Sequence, residues 1–274
     1  MVSAATFALA ASLLGAPCSE RSAKLTLIEQ AASSPQILIL GSSRARQAES
    51  AFVQQLTGRT AFNAAVTGGT AADAWVMTRF AADRFPRGPR RYIWFVDAGI
   101  ATNGVNPDLK ADPRARRYLS TTCPERSRYL ADGSLATPAL GPGARLAAAV
   151  AKLVAGVRAN PPAGGGPNDP KRYVYFERAI RYMNAYGARP VIVLNPIHPE
   201  VLAELRKHGY PARATALAYL RRLQQRLDFV FVDAQDSRSW RGSPADWSNA
   251  THVNRTNMRR LLRHVVAHSG GALK

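Results

Sequence analysis

The sequence has few cysteines and few acidic residues. Its 274 residues include 2 cysteines, Cys18 and Cys123, too far apart for a zinc site or a redox motif built on closely spaced cysteines. Outside the cytoplasm the pair could form one disulfide, and inside it they would be ordinary thiols. The sequence leaves both states open, and nothing in it suggests a metal or a cofactor.

The shortage of acidic residues gives a strongly basic chain. There are 18 Asp and Glu against 37 Lys and Arg, a formal net charge of +19. Such a charge attracts polyanions. The basic residues are scattered, however, without a zinc-finger, aromatic RNA-binding or basic-heptad pattern, so nucleic-acid binding would rest on charge alone and is not expected. Arginine enrichment also follows from GC-rich coding.

One uncharged apolar run does occur, at Val2–Pro17. About fifteen apolar residues fit the core of a signal peptide or the tail of a membrane helix, but are short for a complete span. No basic segment precedes the run, so the true start could lie upstream; the alternative is a helix packed on the domain. We expect residues 1–18 to be a signal-like or membrane-anchor segment, residues 19–274 to be the domain, and the protein to be extracytoplasmic, in the cell envelope.

Short apolar runs alternate with segments of helical periodicity along the rest of the chain. Strands are predicted at Gln36–Gly41, Ala61–Val66, Arg91–Val96, Pro190–Asn195 and Asp228–Val232. Helices are predicted at Ala45–Leu56, Ala71–Phe80, Lys171–Tyr186, Ala214–Leu227 and Asn254–His268. This order predicts an α/β fold, a doubly wound parallel five-stranded sheet covered on both faces. Residues 102–170, rich in Pro, Gly and Arg, are predicted to be an insertion after the third strand, with a helical piece at Ala144–Val157.

Ligands of such sheets bind outside the carboxyl ends of the strands. The first strand runs into the segment GSSR at residues 41–44, where a serine could present its hydroxyl at the turn or could simply cap the next helix. The second strand runs into TGG at residues 67–69, whose N–H groups could face an oxyanion or could belong to an ordinary turn. Near the carboxyl terminus, His252 follows Asn249 by three residues and Asp246 by six, as an oriented base would.

Together these segments resemble the conserved blocks of the GDSL-like (SGNH) hydrolase superfamily. ILILGSSRA at 37–45 is similar to its first block, in a form found in the polysaccharide O-acetylating and envelope branches; FNAAVTGGT at 62–70 is similar to the second, and THVN at 251–254 to the last. The resemblance spans about residues 36–268 without the insertion. It implies a flavodoxin-like SGNH hydrolase fold, Ser43 as nucleophile, His252 as base, and Gly68 with the Ser43 N–H as oxyanion donors.

Two departures from the family pattern bear on the site. Asn249 stands where the family has Asp, so either Asn249 or Asp246 could orient His252. The third block, Gly-x-Asn-Asp, is absent, and Asp97 ends the third strand instead, although a carboxylate is a poor oxyanion donor. Asp97 and Arg44 are therefore included as oxyanion or substrate-binding candidates. Envelope acylation relatives also depart from this third block.

The resemblance implies acyl-ester chemistry, with an acetyl group, on a cell-envelope glycan. Water as the second acceptor makes an esterase, and a sugar hydroxyl makes an O-acyltransferase. The expected partners are an acyl ester, a glycan acceptor and, for transfer, a membrane acyl-donor protein. Asn249 and the missing third block motivate the alternative, a catalytically weakened relative that binds glycan or scaffolds an acylation complex.

Overall fold

Five parallel strands form the centre of the protein. The computed structural model describes residues 19–86, 88–99, 130–135, 145–161 and 173–274. The strands are β1 Ile37–Leu40, β2 Ala61–Asn63, β3 Arg91–Val96, β4 Val191–Leu194 and β5 Val230–Asp233. Their order is β2-β1-β3-β4-β5, and every pairing is parallel. The predicted doubly wound sheet is confirmed, and its strand order is the flavodoxin-like one, which reverses between β1 and β3.

Eight helices surround or extend the sheet in the described part of the chain. They are α1 Glu20–Gln30, α2 Ser50–Thr57, α3 Ala71–Arg84, α4 Arg145–Ala159, α5 Val174–Ala185, α6 Pro199–Lys207, α7 Pro211–Gln224 and α8 Arg255–Ala267. Two 3-10 turns, Ser43–Ala45 and Ser237–Trp240, and a short antiparallel pair, β6 Trp247–Asn249 and β7 His252–Val253, complete the described elements.

The alternation of side chains along β1 divides the core into two layers. Leu38 and Leu40 face the layer that contains α1, α3, α5 and α7, whereas Ile37 and Ile39 face the layer of α2 and α8. All four β1 residues are buried, because both faces of the sheet are covered. A third, smaller cluster packs α4 against α6.

Three helical elements differ from the sequence-based expectation. The helix predicted from Ala45 is a 3-10 turn followed by α2, which begins only at Ser50. α1 was not predicted because its buried positions include the charged Arg21 and Lys24, which break the apolar stripe. α6 was also missed, although Pro199 at its first turn is a helix-start signal.

Several predictions fall wholly or partly outside the described residues. These are the segment 1–18, the Cys18–Cys123 question and most of the insertion at 102–170. Within that insertion, α4 confirms the predicted helical piece. No helix among the residues that the structure describes is both long and apolar enough to cross a membrane.

Candidate active site

Ser43 lies at the carboxyl end of β1, where the chain turns sharply. Gly41 has φ +149°, and a Cβ there would lie 2.9 Å from the Phe95 backbone oxygen, so the turn requires glycine. Ser42 caps the 3-10 turn by accepting from the Arg44 N–H at 3.5 Å. The capping role that either serine could have taken is therefore filled by Ser42, and the Ser43 hydroxyl is left for another partner.

That partner is His252. Its Nε2 lies 2.9 Å from Ser43 Oγ, within hydrogen-bond distance, and β7 sets its position. On the other side of the ring, Nδ1 lies 2.9 Å from Asn249 Oδ1. When the Ser43 hydroxyl donates to Nε2, Nδ1 carries the ring proton and donates it to Asn249. A serine hydroxyl, an imidazole and an amide oxygen thus stand in line.

Asn249 is held with its oxygen toward the imidazole. Its Oδ1 also accepts from the backbone N–H groups of Thr251, at 2.9 Å, and His252, at 3.0 Å. Backbone N–H groups can only donate, so they fix which atom of the amide faces them. Thr251 Oγ1, 2.9 Å from His252 Nδ1 and 3.1 Å from Asn249 Oδ1, joins the same cluster. Sequence reasoning missed Thr251, which only the Asx-type turn at 249–251 could have suggested.

Asp246, the other candidate for orienting His252, has different partners. Its carboxylate accepts from Arg260 at 2.5 Å and from the Asn254 amide at 3.2 Å. Of the two candidates, Asn249 is therefore the one that contacts the imidazole. Asp246 instead pairs with Arg260 of α8.

The electrostatic surroundings of His252 favour its neutral form. Burial lowers the pKa of His252 below its ordinary value, and the nearby guanidinium groups of Arg44 and Arg46 lower it further. Asp97 acts in the opposite direction but does not reverse the shift. A neutral imidazole is the form that can accept a proton from a hydroxyl.

The loop after β2 approaches Ser43 from the other side. Gly68 has φ +60°, and a Cβ on Gly69 would collide with the backbone oxygen of Gly41. Both glycines line the same cavity as Ser43.

Helix α1 holds this loop from behind. Glu20 accepts from the Thr67 N–H at 2.7 Å, while Arg21 donates to the carbonyl oxygens of Thr67, at 3.2 Å, and Gly68, at 3.5 Å. Arg21 also forms a buried ion pair with Asp73 at 2.6 Å, and Asp73 in turn caps the start of α3. The unpredicted helix therefore positions the loop.

Arg44 and Asp97 form an ion pair at the mouth of the site. Arg44 Nη1 lies 3.1 Å from Asp97 Oδ1, which also accepts from Asn195 Nδ2 at 2.9 Å. Ser42 Oγ donates to Asp97 Oδ2 at 3.4 Å. In each of these contacts Asp97 is the acceptor, and an ionised carboxylate has no hydrogen to donate to an oxyanion. Asn195, at the end of β4, was not among the predicted residues.

A cavity of about 410 Å³, hereafter the site cavity, lies beside Ser43 and His252. It opens at the carboxyl ends of β1 and β3, where the strand order reverses, as expected for ligand sites of this fold. Its lining includes Ser43, Arg44, Gly68, Asp97 and His252, and apolar atoms come from Trp94, Phe95 and Phe176.

No protein-family model and no curated protein matches this chain. Its fold is similar to that of a solved protein from Bacteroides fragilis NCTC 9343 described as a "putative acylhydrolase", with a TM-score of 0.45 and 10% identity over 90% of this chain and 94% of that one. At these values the likeness says nothing about chemistry, which has to be inferred from the residues of the site.

Other titratable groups do not extend the site. His198 is buried, packs edge-on against Trp247 at 5.3 Å and contacts the Pro244 backbone oxygen, which is a structural role. No group of three or more His, Cys, Asp or Glu side chains suited to a metal ion occurs among the described residues. The site cavity thus holds a serine hydroxyl within hydrogen-bond distance of an imidazole.

Proposed function

We propose that this protein is a serine-dependent acyl-ester hydrolase or O-acyltransferase that moves an acetyl group on a cell-envelope glycan. The observation that carries the proposal is the alignment of Ser43 Oγ, His252 and Asn249, with 2.9 Å on each side of the ring. The neutral state of His252 and the glycine loop beside Ser43 support it.

The reaction would proceed in two transfers. Ser43 Oγ attacks the acyl carbon while His252 Nε2 takes the hydroxyl proton, and the N–H groups of Gly68 and Ser43 stabilise the tetrahedral oxyanion. The alcohol leaves with the proton from Nε2, and an acyl-serine remains. Water or a sugar hydroxyl then gives its proton to His252 and attacks the acyl-serine. His252 passes that proton to Ser43 Oγ as the acyl–serine bond breaks, which releases acetate or an acetylated glycan and restores the starting state.

Asn249 supports such chemistry less strongly than a carboxylate would. Its amide oxygen holds the Nδ1–H tautomer but brings no full negative charge to the imidazolium that forms. Because two backbone N–H groups fix the amide, the tautomer is preserved and only the charge is missing. We therefore expect slow but measurable turnover.

The missing charge also favours a second candidate function, glycan binding or scaffolding of an acylation complex without turnover. The positive groups Arg44 and Arg46 disfavour the imidazolium form of His252, which also favours this second function. The two functions differ in whether ester cleavage depends on the Ser43–His252 pair.

The test is turnover of p-nitrophenyl acetate by the full chain and by Ser43→Ala and His252→Ala, with Ser239→Ala as a control serine on the surface. The enzymatic proposal expects turnover in the native protein and in the control and its loss in both site variants. Equal turnover in all four proteins, or none in a well-folded native protein, would contradict it. Envelope location and a membrane acyl-donor partner are part of the proposal, and fractionation of the source cells tests the location.

A further inference from the structure

Arginines and aromatic rings share a surface along α3 and α5. The members of this α3–α5 surface are Trp75, Arg79, Arg178, Arg181, Tyr182 and Tyr186. Trp75 and Tyr182 meet edge-to-face at 5.7 Å, and the Arg79 guanidinium lies over the Tyr182 ring at 4.6 Å. The Arg178 guanidinium lies 5.7 Å from the centre of the Trp75 ring.

The stacking prepares these arginines to bind anions. A guanidinium held over a ring loses less freedom on binding, and its edge still presents N–H donors in the fork that suits a carboxylate. Arg178 has no carboxylate partner within the described part of the chain, whereas Arg79 pairs with Asp83 at 3.5 Å. Arg178 is thus the arginine with most capacity for a new partner.

A groove of about 500 Å³ adjoins this surface, and Arg178 belongs to both. Its lining is Val174, Glu177, Arg178, Arg181 and Arg226, three positive groups against one carboxylate. Glu177 is shared between Arg181 at 3.4 Å and Arg226 at 3.3 Å, both more than half exposed. The groove therefore keeps an excess of positive charge.

The α3–α5 surface starts one helical turn from the site cavity. Ala71 lines that cavity, Trp75 lies one turn beyond Ala71 on α3, and the Arg178 guanidinium lies 5.7 Å from the centre of the Trp75 ring. Since one turn advances about 5.4 Å, a polymer with one unit in the cavity would reach Trp75 and Arg178 with its next units.

We propose that the α3–α5 surface and its groove bind the continuing strand of an acidic polysaccharide whose sugar carboxylates pair with Arg178 and Arg181. The exposed Tyr186 and Val174, 54% and 42% accessible, offer apolar contact to sugar rings. The choice of ligand rests on the proposed function. A nucleic acid fits less well, because its charge repeats about every 1.7 Å and would meet the carboxylates of Asp83 and Glu177.

The test measures binding of polygalacturonate, of neutral dextran and of a short DNA duplex to the full chain by calorimetry. We expect the native protein to bind polygalacturonate but not dextran. Arg178→Glu and Arg181→Glu should each lose about fivefold or more in affinity for polygalacturonate, since a charge contact contributes about 1 kcal/mol. Arg263→Glu is the matched control, because this exposed arginine also lies over a ring, that of Phe52, but on the α8 side of the sheet. Melting temperatures should stay equal.

The outcomes separate this inference from the proposed function. Unchanged polygalacturonate affinity in both variants, equal binding of dextran, or tighter binding of DNA would overturn the inference even if p-nitrophenyl acetate is cleaved. Surface-dependent polygalacturonate binding by a protein that cleaves no ester would support the inference and contradict the enzymatic proposal. Turnover of p-nitrophenyl acetate should be the same in the control Arg263→Glu as in the native protein.

Discussion

Replacing Asn249 with Asp places a carboxylate against His252 Nδ1, where the native amide oxygen lies at 2.9 Å. In the native protein, burial and the charges of Arg44 and Arg46 hold the pKa of His252 below its ordinary value. The neutral base therefore persists to more acidic pH than a free histidine would allow. The new charge favours the imidazolium, so the acid limb of the pH–rate profile should move to higher pH.

The size of the effect follows from Coulomb's law. Opposite charges about 4 Å apart interact by ~4 kcal/mol at an effective dielectric constant of ~20. Solvent screening at this partly exposed loop reduces the gain to about 1–2 kcal/mol. Because the imidazolium forms as the serine attacks, kcat/KM above the acid limb should rise by about tenfold.

The assay is p-nitrophenyl acetate turnover from pH 5 to 9 in native protein, Asn249→Asp and the control Asp246→Asn. Asp246 pairs with Arg260 and not with the imidazole, so its variant should keep the native acid limb. The reasoning is refuted if Asn249→Asp leaves the limb in place or moves it to lower pH.

Three further predictions concern the loop and helix around the site. Gly69→Ala forces a Cβ against the backbone of the β1 turn, so it should lower kcat by about 10²-fold, the cost of a misplaced oxyanion donor, measured on the same ester. Arg21→Ala leaves the buried Asp73 carboxylate without its ion-pair partner and should lower the free energy of unfolding in urea by about 3–5 kcal/mol. Arg189→Ala breaks an exposed ion pair and should lower it by less than about 1 kcal/mol. Equal losses in the two variants would contradict the positioning role of α1. Burial lowers the pKa of Lys24 from 10.5 to about 7, so the unfolded chain binds this proton more tightly than the folded one. The free energy of unfolding should therefore rise between pH 7 and 10.5, and Lys24→Met should flatten that rise. An unchanged slope in Lys24→Met would show that the pKa shift is absent.

The sheet could be predicted because its strands are recognisable in the sequence as short apolar runs. Ile37–Leu40 and Val191–Leu194 are continuous apolar runs, as strands buried on both faces must be. Ser43 and His252 could be named as candidates because the segments around them resemble the first and last blocks of the GDSL-like hydrolases, and the structure places their side chains 2.9 Å apart.

The rest depends on contacts between residues distant in the chain. Nothing in the sequence around Asn195 tells that its amide meets Asp97, and nothing around Arg21 tells that it pairs with Asp73 inside the protein. Buried charged residues such as Arg21 interrupt the apolar stripe of α1, so the sequence did not predict an amphipathic helix there. Spacing left both Asn249 and Asp246 open, and the structure separates them: Asn249 contacts the imidazole, whereas Asp246 pairs with Arg260.

The most direct measurement is the site of covalent labelling by a fluorophosphonate, read by peptide mass spectrometry on the intact folded chain. A hydroxyl activated by a neutral imidazole should give one adduct, on Ser43, absent in Ser43→Ala and strongly slowed in His252→Ala. An adduct on another residue, or labelling of Ser43 at the same rate without His252, would contradict the central claim that these two side chains form a working nucleophile and base.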